Sequence, residues 1–333
     1  MPAQILEISS SNISCALSSL GASIASVRVP NARGTFTEVA LPAKSLETGE
    51  GDPSLAGRTI GPCCGRVRDG VITIGNKKYQ LTQNEGRNHL HGGEHGCAIS
   101  CWSLEEVTPA RVRFVLRLPD GLDGYPGNRA LSAEYTVEGN TLRVAYTATT
   151  DRPTWLDLTN HVYWDLSGRF DGSVMDQVLE VAAKKVVHND EAHLPVAIVD
   201  ADEAMDFSVP CALSGKLADH LDHPQLRNAR GFNNAYVLDP ALARAMGGAA
   251  RLYDPGSGIR MTMTTDQPAV VLYSGGYLGA DTKLRAAPGA AAPGCAIALE
   301  AQGLPDPFHM PGAKASLLSP GETYRRNIRW RFD

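Results

Sequence analysis

The chain has 333 residues, 43% hydrophobic and 20% charged, which is apolar enough for a sizeable core and excludes a disordered polar chain. Its net charge of −5 comes with no basic tail or stripe, which argues against a nucleic-acid partner bound through phosphate neutralisation. Seven cysteines, including adjacent Cys63 and Cys64, show neither a disulfide-framework spacing nor paired C-x-x-C motifs. The first residues carry no basic region ahead of an apolar stretch, and no apolar run is long enough to cross a bilayer. The expectation is a cytoplasmic protein with reduced thiols and no membrane partner.

Short runs rich in Val, Ile, Thr and Tyr recur along the chain, separated by Gly, Pro, Asn and Asp. Residues 71–74 lead through Gly75-Asn76 into residues 77–81, a hairpin signal. Residues 111–118 alternate charged and apolar side chains over much of their length, as a half-buried strand does. Segment 120–128 is almost pure turn sequence and predicts a surface loop. Strands at 131–137 and 141–147 flank Glu138-Gly139-Asn140, a second hairpin. Further strands are expected at 177–187, 235–238, 258–264, 269–273, 296–301 and 325–331, with short helices at 218–221 and 241–246. The Ala-, Pro- and Gly-rich segment 286–294 is read as a mobile loop. With no linker and no internal repeat, residues 1–333 predict a single all-β domain, a large β-sandwich with few short helices.

Four places carry chemistry. In Asn88-His89-Leu90-His91-Gly92-Gly93, two histidines at i and i+2 would share a strand face, and the glycines allow a sharp turn or close approach to a ligand. With Glu94 and His95 nearby a metal site is one reading, although nothing fixes a third ligand; a packing cluster is the other. His161 stands in the mostly apolar run 155–166, where a histidine is either a hydrogen-bonded core residue or a proton carrier near neutral pH. Glu300 ends the apolar run 295–299, a costly place for a carboxylate unless it is paired or used, and it is the best candidate for a general base. Arg66 is by default a strand-edge arginine, but its planar fork suits vicinal hydroxyls or a developing oxyanion. No phosphate-binding glycine loop and no G-x-S-x-G elbow is present.

Taken together, these segments resemble the aldose 1-epimerase, or galactose mutarotase, family. Asn88-x-Leu90-His91-Gly92-Gly93 is similar to its N-x-L-H-G-G, Thr159-Asn160-His161-x-Tyr163-Trp164-x-Leu166 to its T-N-H-x-Y-F-x-L, and Leu299-Glu300-Ala301-Gln302-x-x-Pro305-Asp306 to its L-E-[TA]-Q-x-x-P-D. Supporting segments around Gly57–Val67, Asp120–Asn128, Gly231–Asn233 and Pro320–Tyr324 fall in the same order, so the resemblance runs from about Gly57 to the C-terminus. It implies a galactose mutarotase-like β-supersandwich and a cofactor-free interconversion of the α and β anomers of a free aldose. Carried over by position, Glu300 would be the general base on the C1 hydroxyl and His161 the general acid on the ring oxygen. Arg66, His91 and Asn233 would bind the sugar, His89 would fall back to packing, and no metal would be needed. The partner is then a small sugar, and the protein a monomer or homodimer.

Three positions depart from the family pattern: Gly65 stands where an asparagine is usual, Asn233 where an aspartate is usual, and Val271 where many members carry glutamine. All three touch substrate binding and leave the acid and base intact, so the preferred sugar is expected not to be simply galactose. Two other functions remain open at this point. One is a catalytically silent sugar-binding or regulatory protein. The other is an acid–base enzyme on a sugar phosphate or uronate, for which Arg58, Arg66, Arg68 and Arg87 would have to converge.

Overall fold

The computed structural model describes residues 3–43, 46, 54–279 and 292–333. Among these, three antiparallel sheets carry most of the structure. A nine-stranded sheet runs in the order Ser103–Thr108, Arg111–Leu118, Arg129–Glu138, Thr141–Thr150, Tyr324–Phe332, Arg260–Thr265, Ala250–Tyr253, Val178–Val181, Cys211–Ala212. A six-stranded sheet runs in the order Tyr163–Trp164, Ile297–Gln302, Ala269–Tyr273, Asn233–Val237, Lys185–Asn189, Pro195–Asp200. A four-stranded meander, Ile5–Ser9, Ser14–Ser18, Ser23–Pro30 and Phe36–Glu38, forms the third.

The core lies between the inner faces of the two large sheets, because side chains alternate across each strand. Val144, Tyr146, Ile328 and Trp330 of the larger sheet share one buried cluster with Val270, Leu272, Ile297 and Leu299 of the smaller. Trp164 and Trp330 bridge the sheets with ring centroids 5.6 Å apart. The same alternation decides which face of the six-stranded sheet is left for function: Tyr163, Val271, Tyr273, Asn233, Glu300 and Gln302 all point away from this core and line a cleft.

Several expectations from sequence are met closely. The hairpin forms as Val71–Ile74 and Lys77–Gln80, with Gly75 at φ +59°, and the strand Ala269–Tyr273 has the expected bounds. Others need correction. The expected strand 177–187 is two strands, Val178–Val181 and Lys185–Asn189, in different large sheets; at the break, Ala182 donates its N–H to Ala249 O, and the backbone leaves one ladder for the other. The expected helix at 218–221 lies earlier, at Leu213–Asp219, and Pro224–Ala229 forms a further helix started by its proline. Segment 120–128 turns as predicted but is no surface loop, since Tyr125 is fully buried and Asp123 is 7% exposed. Of the expected mobile loop 286–294, residues 286–291 lie outside the described residues. The serine-rich N-terminal meander was not anticipated.

All seven cysteines are free thiols. No helix among the described residues is long and apolar enough to cross a membrane.

Candidate active site

The cleft over the six-stranded sheet has a volume of about 630 Å³, within the range of small-molecule sites. His161, Glu300, His91, Arg66 and Asn233, which lie far apart in sequence, all line it. The five side chains singled out in the sequence thus share one cleft.

Glu300 sits in the strand Ile297–Gln302, where Leu299 and Ala301 face the core and Glu300 faces the cleft. It is 4% exposed, and burial pushes its carboxyl up to about 8. Its Oε2 has no hydrogen-bond partner among the described residues. His161 lies just before the edge strand Tyr163–Trp164, which pairs Tyr163 with Ala298 of the glutamate's strand. That register brings His161 Nε2 to 3.7 Å from Glu300 Oε1.

Asn160 explains the residue before the histidine. Its Nδ2 donates to Gly57 O (2.9 Å) and Tyr135 OH (3.1 Å), and its Oδ1 accepts from Val162 N–H (3.0 Å). His161 N–H donates to Arg58 O at 2.8 Å. The histidine's backbone is thus bonded on both flanks, which fixes where its ring enters the cleft.

His91 meets His161 edge to face, with ring centroids 5.5 Å apart. It has a left-handed backbone (φ +53°), so it has left the strand His89–Leu90 and does not share a face with His89. Burial, with His161 and Arg66 beside it, holds the His91 imidazole well below its ordinary range, so it is neutral. Its Nδ1 bonds to Cys64 O, which places the proton there and leaves Nε2 as an acceptor. Glycine is required next: a Cβ on Gly92 would overlap Gly61 O, and one on Gly93 would meet the Asp123 carboxylate, both at positive φ. His89 is fully buried, with Nδ1 bonded to Thr82 O (2.6 Å) and Nε2 to Tyr125 OH (2.8 Å), a packing residue outside the cleft.

Arg66 pairs through Leu90 with the histidine strand and grips Glu85 with both arms, Nε to Oε2 at 2.7 Å and Nη2 to Oε1 at 2.6 Å. Glu85 thereby orients the fork, and sequence gave no sign of it because the two are 19 residues apart in an irregular segment. Of the other arginines considered, Arg68 pairs with Asp190 and Arg87 with Asp69, while Arg58 is buried with Nη1 on Ala98 O. Only Arg66 of the four lines the cleft, so these four arginines do not assemble the cluster a phosphate would need.

Asn233 opens its strand directly across from Tyr273, and among the described residues its side-chain amide makes no hydrogen bond within the protein. Tyr163, Tyr273 and Gln302 also face the cleft, and Asp157 accepts Gly303 N–H at 2.9 Å, tying down the end of the glutamate strand. Strand parity could have flagged Gln302, two residues past Glu300 on the same face. Tyr163 likewise stands two residues past His161 in its motif, whereas Tyr273 has no such signal.

A buried carboxylate and an imidazole side by side in a half-open cleft of an all-β sandwich are suited to acid–base chemistry on a bound small molecule. The chain belongs to the aldose 1-epimerase family, whose model matches residues 4–331. It is 30% identical to the galactose mutarotase of Mus musculus over 98% of this chain and 93% of that protein, and 29% identical to the aldose 1-epimerase of Escherichia coli K12 over 94% and 90%. Among solved structures it is similar to a GalM/aldose epimerase homologue from C. elegans (TM-score 0.90, 26% identity, 99% of each chain) and to a galactose 1-epimerase from Lactobacillus acidophilus (TM-score 0.82, 25% identity, 99% of this chain and 98% of that one).

Proposed function

We propose that this isomerase interconverts the α and β anomers of a free aldose, with Glu300 as general base and His161 as general acid. The observation that carries the reading is the 3.7 Å between His161 Nε2 and Glu300 Oε1 inside the cleft. The two oxygens that exchange protons, the C1 hydroxyl and the ring oxygen, are both bonded to C1, so the acid and the base must stand this close. Glu300 takes the proton from the C1 hydroxyl while His161 protonates the ring oxygen, and the C1–ring-oxygen bond breaks to give the aldehyde. Rotation about C1–C2 and reclosure with the roles reversed give the other anomer. The sugar exchanges only protons with the protein and is neither oxidised nor reduced overall, so no cofactor or metal is called for. Each positioned group is typically worth about 10²–10⁴-fold.

Neutral His91 accepts a sugar hydroxyl through Nε2, the Arg66 fork held by Glu85 donates to sugar oxygens, and the open amide of Asn233 bonds hydroxyls further along the ring. A silent binding protein would have no use for a carboxylate held up to about 8 beside an imidazole. One buried cluster drawing on residues from Ile8 to Phe332 supports a single domain, and free thiols support a cytoplasmic setting. The protein is taken to work on its small sugar as a monomer or homodimer. Exchange NMR on galactose, glucose, xylose, arabinose and fucose should show faster anomer exchange than buffer for at least one sugar, with galactose not standing far above the rest. No acceleration for any sugar would overturn the proposal.

A further inference from the structure

The floor of the cleft beside Glu300 is apolar where a sugar would be expected to meet hydrogen-bonding groups. In the six-stranded sheet Glu300 pairs directly with Val271, and Val271 with Ala235. Neighbouring strands lie about 4.8 Å apart, so these three side chains form a row across the cleft floor, one strand spacing from each to the next. Val271 and Ala235 both line the cleft, Val271 half-buried and Ala235 buried, and behind them Val187 and Met310 complete an apolar cluster. Polar side chains flank the row instead of standing in it. Gln302 lies on one side, and Tyr273 with Asn233 on the other.

A sugar held with C1 at Glu300 must lay part of its ring or a substituent on Val271. A hydroxyl there would lose its water to a surface that can neither donate nor accept, whereas a hydrogen or a methyl group would lose nothing. We infer that Val271, backed by Ala235, is a specificity-determining residue and that the cleft selects a deoxy aldose, one bearing hydrogen or methyl where its parent bears a hydroxyl or hydroxymethyl group. The inference rests on the epimerase reading for the placement of C1. An apolar surface rejects an added hydroxyl by roughly 10- to 100-fold, which sets the expected size of the preference.

The test uses matched pairs: galactose with 6-deoxygalactose, and glucose with its 2-, 3- and 6-deoxy forms. Anomer exchange is followed by NMR, and binding by ligand-observed saturation transfer, for the wild-type protein and for Val271→Thr, which adds a hydroxyl at nearly unchanged shape. One deoxy sugar should exceed its parent in kcat/KM by on the order of tenfold or more, and Val271→Thr should narrow that ratio. The wild-type comparison needs no variant and stands if the variant misfolds. Parents equal to or better than deoxy sugars in every pair would overturn the inference and leave the epimerase reading intact. So would a uniform loss for all sugars in Val271→Thr, which is what simple support of the ring's C–H face predicts. Preferential binding of a deoxy sugar without any exchange would uphold the selection and overturn the epimerase chemistry. No binding of any pair would overturn both.

Discussion

Replacing Glu300 by glutamine should make the protein more stable at alkaline pH, by an amount that depends on pH in a specified direction. Burial pushes the Glu300 carboxyl up to about 8 from an ordinary value of 4.5. Between those two values the folded protein keeps the proton that the unfolded chain has released, so stability falls as pH rises through that window. The slope is about 1.4 kcal/mol per pH unit, so from pH 5 to pH 8 the ceiling is roughly 4 kcal/mol, reduced by whatever attraction a protonated His161 at 3.7 Å supplies. Glutamine keeps the shape without the ionisation. Denaturant unfolding of Glu300→Gln and wild type at matched pH should therefore show a gap that is small near pH 5 and widens in favour of the variant toward pH 8. A gap that stays constant, or a variant that loses ground as pH rises, would refute the assignment of Glu300 as a carboxylate strained by burial.

The same titration governs rate. Because Glu300 must be ionised and His161 protonated in the free protein, kcat/KM should be bell-shaped, falling at acid pH where Glu300 holds its proton and at alkaline pH where His161 has lost its own; a rate that is unchanged from acid to alkaline pH would contradict the pair. Asn160→Ala removes three buried hydrogen bonds, to Gly57 O, Tyr135 OH and Val162 N–H, and should cost about 2–4 kcal/mol in unfolding experiments while lowering kcat through a misplaced His161. Tyr125→Phe removes the hydroxyl on His89 Nε2 and should cost about 1–2 kcal/mol while leaving KM unchanged, because His89 packs outside the cleft; a raised KM would return His89 to the binding site.

What could be read from the sequence followed from local rules. Gly75-Asn76 has one sensible turn to make, so the hairpin around it came out within a residue. His161, His91, Arg66, Asn233 and Glu300, which share the cleft, could be singled out because each sits in a short motif whose residue types already make chemical sense. What escaped was set by tertiary partners. Residues 177–187 look like one strand because nothing in an apolar run marks where the backbone exchanges one sheet for another. The turn at 120–128 was placed on the surface because its residues are turn formers, yet Tyr125 is drawn inside by His89 and Asp123 by the Glu94 and His95 amides. Glu85, Tyr273 and the apolar row at Val271 became visible only with the register of the six-stranded sheet and the irregular loop that holds Arg66.

The role proposed for Glu300 is to move the anomeric proton. Its most direct test is anomer exchange by Glu300→Gln, with binding of the same sugar measured in parallel. Exchange should fall by about 10²–10⁴-fold while the sugar still binds, since Arg66, His91 and Asn233 are untouched. Exchange at the wild-type rate would contradict it and remove Glu300 as the base.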